Sequence, residues 1–404
     1  MRTKRRAGVV AGAAVLLLAV AACGTSSGGA EKGSSEEGSG GFTAPDVPMA
    51  SELGDNEGEI SILAWPGYAE DGSTDKSVDW VTPFEKATGC KASIKVFNTS
   101  DEAVNLMSSG QYDVVSASGD ASLRLIAASE VAPVNTDLIP NYADVYDFLK
   151  DRDWNSVNGQ MYGVPHGWGA NLLMYNTKVV SPAPTSWSAV FTDADKYAGK
   201  VTAYDSPIYI ADAALYLMNT QPDLGIKNPY ALDQDQLAAA VDVLKKQRES
   251  IGEYWSDYLK QIQAFTNGDS VIGTSWQVIV NLAQSEKVPV EAFLPDEGST
   301  GWSDTWMISS KTEHPNCAYA WLNHIISPEA NAAVAEWFGE APANAKACDL
   351  ASEGFCDSYH AGDADYANKI WYWTTPIEEC LDGRTDVKCT TYQDWQTAWT
   401  EIKG

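Results

Sequence analysis

The chain has 404 residues, of which 55 are acidic and 27 basic, and its formal net charge at pH 7 is −28. This strong negative charge makes nucleic acid and anionic lipid surfaces poor partners, and it is compatible with a cationic ligand. A chain of this length is too long for one small core and favours two lobes.

The first residues have the pattern of a secretion signal. A basic start, Arg2 to Arg6, precedes an apolar run over 9–22 that is too short for a comfortable transmembrane helix. The run ends in Val-Ala-Ala-Cys at 20–23, which resembles the bacterial lipobox; a simple secretion signal with a chance cysteine is the alternative. We therefore expect a lipoprotein signal peptide at 1–22 and a lipid on Cys23. That lipid would be the only membrane attachment and would hold the protein on the outer face of the cell membrane.

Residues 23–58 are rich in Gly, Ser and Glu and offer almost nothing to bury. This composition is typical of a flexible tether. The folded body is expected to begin near Glu59.

From Glu59 onward, strand-like and helix-like segments alternate. The sequence predicts strands over 59–65, 91–97 and 112–118, with helices over 77–89, 100–109 and 119–129. A long extended segment, YGVPHGWGANLLMYN, follows at 162–176. Further strands are predicted over 199–203, 268–276 and 290–295, with helices over 233–251, 277–287 and 316–339. This order predicts a mainly parallel sheet with helices on its faces.

Seven cysteines divide into Cys23 and six others. An even number of cysteines in an exported chain suggests disulfides. Short spacing favours Cys348–Cys356 and Cys380–Cys389 as local pairs, which leaves Cys90 and Cys317 to pair by elimination.

The usual signatures of an enzyme are missing from the sequence. It has no G-x-S-x-G elbow, P-loop or G-x-G-x-x-G motif, and its four histidines have no short metal-ligand spacing. We therefore predict no catalytic residues, no metal and no cofactor. An extracytoplasmic hydrolase with an unrecognised site stays open as an alternative.

Aromatic residues stand where predicted strands end. Trp65 ends the first strand and Tyr68 follows it, Trp276 ends the strand over 268–276, and Trp168 lies in the long extended segment. Ligands of α/β proteins bind beyond the carboxyl ends of parallel strands, and the faces of Trp and Tyr rings attract cations. Any one of these residues could instead pack in the core, but the combination favours a binding site for a cation.

The stretch GWSDTW places Trp302, Asp304 and Trp306 at alternate positions. In an extended chain alternate side chains face the same side, so Trp302 and Asp304 can both reach a cleft. Trp306 lies deeper in the strand, and we predict that it packs in the interior.

Several motifs together resemble the spermidine/putrescine-binding proteins of bacterial ABC importers. They are ILAWPGYAE, FEKATGCKASIKVF, SSGQYDVVSAS, VNGQMYGVPHGWGANLLMYN, AFTNGDSVIGTSWQ and GWSDTWMISS. The resemblance implies a two-lobed α/β fold of the type II periplasmic-binding-protein class, with a ligand cleft between lobes joined by hinge crossovers. The lobes would comprise 59–166 and 302–345 (lobe I) and 167–301 (lobe II), with a C-terminal helical region at 346–404 packing on lobe II.

The resemblance also implies roles for individual residues. Trp65 and Tyr68 match an aromatic pair that flanks the ligand, Ser118 a polar contact, and Trp276 an aromatic wall. Trp302 and Asp304 match a wall and the carboxylate that meets an amine.

The chain departs from the family at two places. Ser206 and Tyr209 align with the family's second pair of acidic contacts, while Asp205 and Asp212 lie close by. Asp120 replaces an aromatic residue after Ser118 and is either a ligand contact or a helix cap. We include Asp120 and Tyr209 among the predicted ligand contacts.

The sequence thus predicts a monomeric binding protein, not an enzyme, that delivers a small cationic amine to an ABC permease and its ATPase. The ligand could be putrescine, spermidine or another cationic amino compound. A zwitterionic or anionic ligand in the same fold is the nearest alternative.

Overall fold

The structure, a computed structural model, describes residues 42–404. Its strands are β1 Glu59–Ala64, β2 Lys91–Val96, β3 Val114–Ala117, β4 Val131–Ala132, β5 Ser156–Val157, β6 Gln160–Met161, β7 Gly163–Ala170, β8 Leu172–Asn176, β9 Val201–Tyr204, β10 Ile251–Trp255, β11 Ile272–Ser275, β12 Val290–Phe293, β13 Ser299–Ser309, β14 Ala341–Pro342 and β15 Ile370–Tyr372. Its α-helices are α1 Val81–Thr88, α2 Ser100–Met107, α3 Gly119–Ala127, α4 Ile210–Thr220, α5 Gln234–Arg248, α6 Tyr258–Asn267, α7 Gln277–Ser285, α8 Pro315–Ile325, α9 Pro328–Phe338, α10 Phe355–Ser358, α11 Ala364–Ala367 and α12 Tyr392–Lys403. The predicted α/β class is confirmed. None of the helices within 42–404 is both long and apolar enough to span a membrane.

The predicted signal peptide and Cys23 lie outside the described residues. Residues 42–58, the later part of the predicted tether, form no helix or strand but contact the folded body. The carbonyl oxygens of Phe42 and Ala50 accept hydrogen bonds from Asn158 and Asn135, each at 3.2 Å. This part of the chain therefore differs from a free tether, because its backbone finds hydrogen-bond partners on the body. For 23–41 the tether stays a prediction.

The first sheet has eight strands, in the order β14-β7-β13-β3-β1-β2, with β4 and β15 also paired to β13. As predicted, the first three strands are parallel: β1 pairs with β2 and β3 in that sense. Their carboxyl ends therefore meet at one edge, where Trp65 and Ser118 follow β1 and β3. We call this sheet and its helices lobe I.

The second sheet has five strands, in the order β10-β9-β11-β8-β12, and defines lobe II. Strands β9, β10 and β11 are parallel, so Tyr204, Trp255 and Trp276 lie together where these strands end. Helix α5 begins after Asp233, the first residue of the helix predicted over 233–251, because Asp233 and Gln236 form a reciprocal capping box.

The long extended segment predicted over 162–176 is divided between the two sheets. Strand β7 belongs to the first sheet and β8 to the second, with Asn171 between them. A second crossover joins β12 to β13. These two connections meet at Asn171, which hydrogen-bonds Thr300 of β13, and the chain crosses between the lobes a third time between β15 and α12.

The C-terminal region divides between the lobes. Strand β15 pairs in parallel with β13 of lobe I, whereas α12 packs on α5 of lobe II. This differs from the prediction that all of 346–404 packs on lobe II. The reason is the edge of β13 near Ser299, where β15 adds a strand to the first sheet.

All three predicted disulfides are formed. Cys90–Cys317 joins residues 227 positions apart, while Cys348–Cys356 and Cys380–Cys389 close loops with separations of 8 and 9. The long-range pair links the start of β2 to helix α8 in lobe I.

Candidate functional site

A continuous row of aromatic rings connects the two lobes. Tyr204 and Trp276 of lobe II have ring centroids 5.4 Å apart, and Trp276 lies 5.9 Å from Trp302 of lobe I. The row continues from Trp302 to Phe338 at 6.0 Å and from Phe338 to Tyr68 at 4.6 Å. The structure thus brings together Tyr68, Trp276 and Trp302, three of the predicted site residues, where the lobes meet.

Asp304 is a buried carboxylate at the lobe I end of this row. It is 5% exposed, its Oδ2 accepts a hydrogen bond of 2.8 Å from the Tyr68 hydroxyl, and its Oδ1 has no hydrogen-bond partner within residues 42–404. Burial raises the pKa of Asp304 to about 6, and two hydroxyls oppose that rise: that of Tyr68, and that of Ser118, which lies near the carboxylate without a hydrogen bond of normal geometry to Oδ1. An unpaired buried carboxylate oxygen is unfavourable alone and would be stabilised by an ammonium group.

Two residues not predicted from the sequence lie behind Asp304. The Tyr68 hydroxyl is also 3.0 Å from Glu340 Oε2, and His166 Nδ1 is 3.2 Å from Glu340 Oε1. Glu340 and His166 are both fully enclosed, with exposures of 1% and 0%. The Tyr68 hydroxyl, with its one proton, lies between the carboxylates of Asp304 and Glu340, so Glu340 helps to fix the position of Tyr68. Glu340 Oε1 and both ring nitrogens of His166 have no hydrogen-bond partner within the described residues.

The pairing of β13 with β7 explains how this cluster forms. Asp304 lies opposite Gly167 and Thr305 opposite Pro165, so His166 is an extra residue in β7 without a partner in β13. A Cβ at Gly167 would lie 2.0 Å from the Glu340 carboxyl carbon, and a Cβ at Gly169 would lie 2.8 Å from the Trp302 ring. The two glycines of the GWG motif therefore leave space for a carboxylate and an aromatic wall.

Trp65, Trp168 and Trp306 pack against other rings than those of the row. Trp65 follows β1 with its ring 4.5 Å from Phe97, and its Nε1 has no hydrogen-bond partner within the described residues. Trp306 is fully buried with its ring 5.4 Å from Trp321, in agreement with the packing role predicted for it. Trp168 is also fully buried, against Phe148.

Asp120 lies in the first turn of α3 and does not cap that helix, because the N-cap position belongs to Ser118. Its carboxylate accepts hydrogen bonds from Ser100 Oγ at 2.9 Å and from the Tyr392 hydroxyl at 3.2 Å. The Asp120 carboxylate is therefore hydrogen-bonded to α12 through Tyr392.

Tyr209 is not brought to the row of rings. It is 1% exposed, its hydroxyl accepts a hydrogen bond of 3.0 Å from Gln247, and its ring packs 6.1 Å from Trp399. It lies inside lobe II because the short 3-10 turn Pro207–Tyr209 directs it under α5 and α12.

A chain of hydrogen bonds runs from the row of rings to the hinge. Trp276 Nε1 donates to Asn171 Oδ1 at 2.9 Å, Asn171 Nδ2 to Thr300 Oγ1 at 2.7 Å, and Thr300 Oγ1 to Asp212 Oδ2 at 2.9 Å. Asp212 is 2% exposed and its Oδ1 has no hydrogen-bond partner within 42–404. Burial raises the pKa of Asp212 to about 8.

Replacing Asp212 by Asn should flatten the pH dependence of the free energy of unfolding. Between about pH 4 and 8 the folded protein keeps a proton on Asp212 that the unfolded chain has lost. Stability of the unsubstituted protein therefore falls as pH rises through this window, by at most about 1.4 kcal/mol per pH unit from this group. Urea unfolding of both proteins at several pH values measures the difference. Parallel pH profiles would contradict the assignment.

Tyr204, Phe338, Glu340 and His166 are the site residues that the sequence analysis missed. Tyr204 could have been predicted from the sequence, because it is the last residue of a parallel strand, just as Trp276 is the first residue after one. Phe338 and Glu340 stand at the end of α9, where no local pattern marks them.

Comparison with known proteins agrees with this architecture. The sequence model of the family described as bacterial extracellular solute-binding protein matches residues 79–357. The putrescine-binding periplasmic protein SpuD of Pseudomonas aeruginosa is 25% identical over 379 residues, which cover 89% of this chain and 96% of SpuD. The resemblance seen in the sequence is thereby confirmed.

Solved structures show the same fold. A putative spermidine/putrescine ABC transporter protein from Listeria monocytogenes superposes with a TM-score of 0.69 at 19% identity, over 86% of this chain and 99% of that one. The substrate-binding protein PotD of Streptococcus pneumoniae has a TM-score of 0.66 at 18% identity, with the same coverage. The two-lobed fold is confirmed by these neighbours.

These relatives are solute-binding proteins and not enzymes, as the sequence predicts for this chain, and proteins of the family deliver their ligand to an ABC permease. Because the family model covers most of the folded body, the chain belongs to the bacterial extracellular solute-binding protein family and is the solute-binding component of an ABC importer.

Proposed function

We propose that this protein captures a small cationic amine, the class that includes putrescine and spermidine, in the cleft between its lobes. The observation that carries the proposal is Asp304, a buried carboxylate with one unpaired oxygen beside the rings of Trp302 and Tyr68. An ammonium group would pair with that oxygen, and the aromatic faces would attract the rest of its charge. The names of the sequence relatives, among them a putrescine-binding protein, support the same class of ligand.

Capture would proceed by closure of the lobes. Trp302 and Asp304 belong to lobe I, whereas Trp276 and Tyr204 belong to lobe II, so a ligand among them contacts both. Such a ligand binds the closed state better than the open one and shifts the population toward it. The closed, loaded form would be the one that the permease receives.

The proposal includes the location of the protein. The lipobox-like sequence ending in Cys23 supports a lipid anchor on the outer face of the cell membrane. The body, a monomer in this proposal, would meet the permease from that side. The permease would work together with its ATPase.

Titration with a panel of compounds tests the ligand class. The panel holds putrescine, spermidine, a zwitterionic amino acid, a sugar and sulfate, with tryptophan fluorescence and thermal shift as readouts. We expect saturable fluorescence changes and a raised melting temperature with the amines, because Trp276 and Trp302 line the cleft. Saturable binding of the sugar or sulfate alone would contradict the proposal.

A further inference from the structure

Three acidic residues act on Tyr204, which stands at the lobe II end of the row of rings. Burial raises the pKa of Tyr204 far above its usual range, and the charges of Asp120, Asp304 and Asp205 add to that rise. Asp205 follows Tyr204 directly, Asp120 comes from the start of α3, and Asp304 comes from β13. Asp205 is therefore the acidic residue next to the lobe II end of the row, and Asp304 is the one at its lobe I end.

Asp205 forms an ion pair with a lysine of this chain, Lys403. Lys403 Nζ lies 2.6 Å from Asp205 Oδ1 and 2.7 Å from its Oδ2, and Trp399 Nε1 donates to the same Oδ1 at 3.2 Å. The Lys403 ammonium also lies 5.6 Å from the centre of the Tyr254 ring. Helix α12 thus brings an ammonium group and an indole to the carboxylate, with an aromatic face beside that ammonium group.

Asp120 is also engaged, as described above, by Ser100 and by Tyr392 of α12. The guanidinium of Arg124 lies 4.6 Å from the centre of the Tyr392 ring and forms an ion pair of 2.8 Å with Asp101. Burial raises the pKa of Asp120, and the hydrogen bond from Ser100 and the positive charge of Arg124 oppose that rise. Both oxygens of Asp120 therefore have partners within the protein.

Asp304 differs from the other two. Its Oδ1 is the one oxygen of these three carboxylates that is buried without a hydrogen-bond partner in the described part of the chain. Glu340, the other acidic group nearby, accepts from Tyr68 through Oε2, and its Oε1 has no hydrogen-bond partner but lies 3.2 Å from His166 Nδ1 in a side chain with no exposed surface. The cleft therefore offers one carboxylate oxygen to an incoming cation.

We propose that the site recognises one ammonium group, at Asp304, and that Lys403 takes the place of a second ammonium group at Asp205. This inference rests on the proposed function and narrows it to ligands whose affinity comes from a single cationic centre. A second ammonium group in the ligand would meet Lys403, a like charge, and would gain no carboxylate.

Calorimetric titration with butylamine and putrescine tests this, because the two have the same carbon chain and differ by one ammonium group. In the unsubstituted protein we expect putrescine to bind no more than about threefold more tightly than butylamine. Lys403→Met leaves Asp205 without its ammonium partner. The preference of the protein for putrescine over butylamine should then rise about tenfold or more.

Two variants control for the structure of α12. Lys403→Arg keeps the positive charge and should keep the preference of the unsubstituted protein. Lys245→Met removes a lysine that pairs with Glu401 of the same helix, at an exposed position, and should leave the preference unchanged. An equal rise in Lys403→Met and Lys403→Arg would mean that helix docking, not charge, sets the preference, and would overturn the inference.

The remaining outcomes separate this inference from the proposed function. A preference of more than about threefold for putrescine in the unsubstituted protein, or an unchanged preference in Lys403→Met, overturns the single-ammonium site and leaves the amine-binding function intact. Failure of both amines and of spermidine to bind would overturn the proposed function itself.

Discussion

Replacing Asp304 by Asn should weaken the binding of a cationic amine by at least about 30-fold, a loss of about 2 kcal/mol or more. The variant removes the negative charge but keeps the size of the side chain and an oxygen that can accept from Tyr68. The bound ammonium group would then be buried without its counter-charge, which is costly where water is excluded. Calorimetric titration of both proteins with the tightest-binding amine of the panel measures the change.

The pH dependence of binding provides an independent check on Asp304. Because the pKa of Asp304 is raised to about 6, the carboxylate is ionised well above that pH and becomes protonated below it. Affinity for a cation should therefore fall about tenfold per pH unit below about pH 6, whereas Asp304→Asn should show no such fall. Undiminished amine binding by the variant, or tighter binding of sulfate than of any amine, would assign the site to a different class of ligand.

Removal of the disulfide between Cys90 and Cys317 should cause the largest loss of stability among the three disulfides. The pair closes a loop with a sequence separation of 227, and the loop-entropy relation gives about 5 kcal/mol for a loop of that length. Both cysteines are fully buried, and substituting both by Ala removes the disulfide without leaving a free thiol. Urea unfolding of the double variant measures the loss in the free energy of unfolding.

The pair Cys348 and Cys356 is the matched control. Its separation is only 8, and the same relation gives about 2.5 kcal/mol for its removal. The double variant Cys348→Ala/Cys356→Ala should therefore lose about half as much stability. An equal or larger loss in the control would show that loop length does not govern the contribution of these disulfides.

The sequence allowed prediction of those parts of the site that depend on local order. Trp276 was predicted because it stands at the end of a strand pattern, and ligands of α/β proteins bind at that end of the strands. The alternation of Trp302 and Asp304 in an extended stretch was equally visible. Such predictions need only the two-residue alternation of side chains along a strand and the direction of the neighbouring strands.

Other parts of the site depend on contacts between distant segments. Glu340 reaches Tyr68 across 272 positions, and Tyr392 reaches Asp120 across the same number. No spacing in the sequence marks such pairs, because they are set by the pairing of β14 with β7 and by the docking of α12. Tyr209 was placed in the site by alignment with the family, but the turn that carries it directs the ring into the lobe II core.

A crystal structure with the tightest-binding amine would test the claim that a cationic amine binds at Asp304 between the lobes. We expect an ammonium nitrogen about 2.8 Å from Asp304 Oδ1, enclosed by the rings of Trp302 and Tyr204. An amine bound elsewhere, or a cleft occupied by an oxyanion away from Asp304, would contradict the claim.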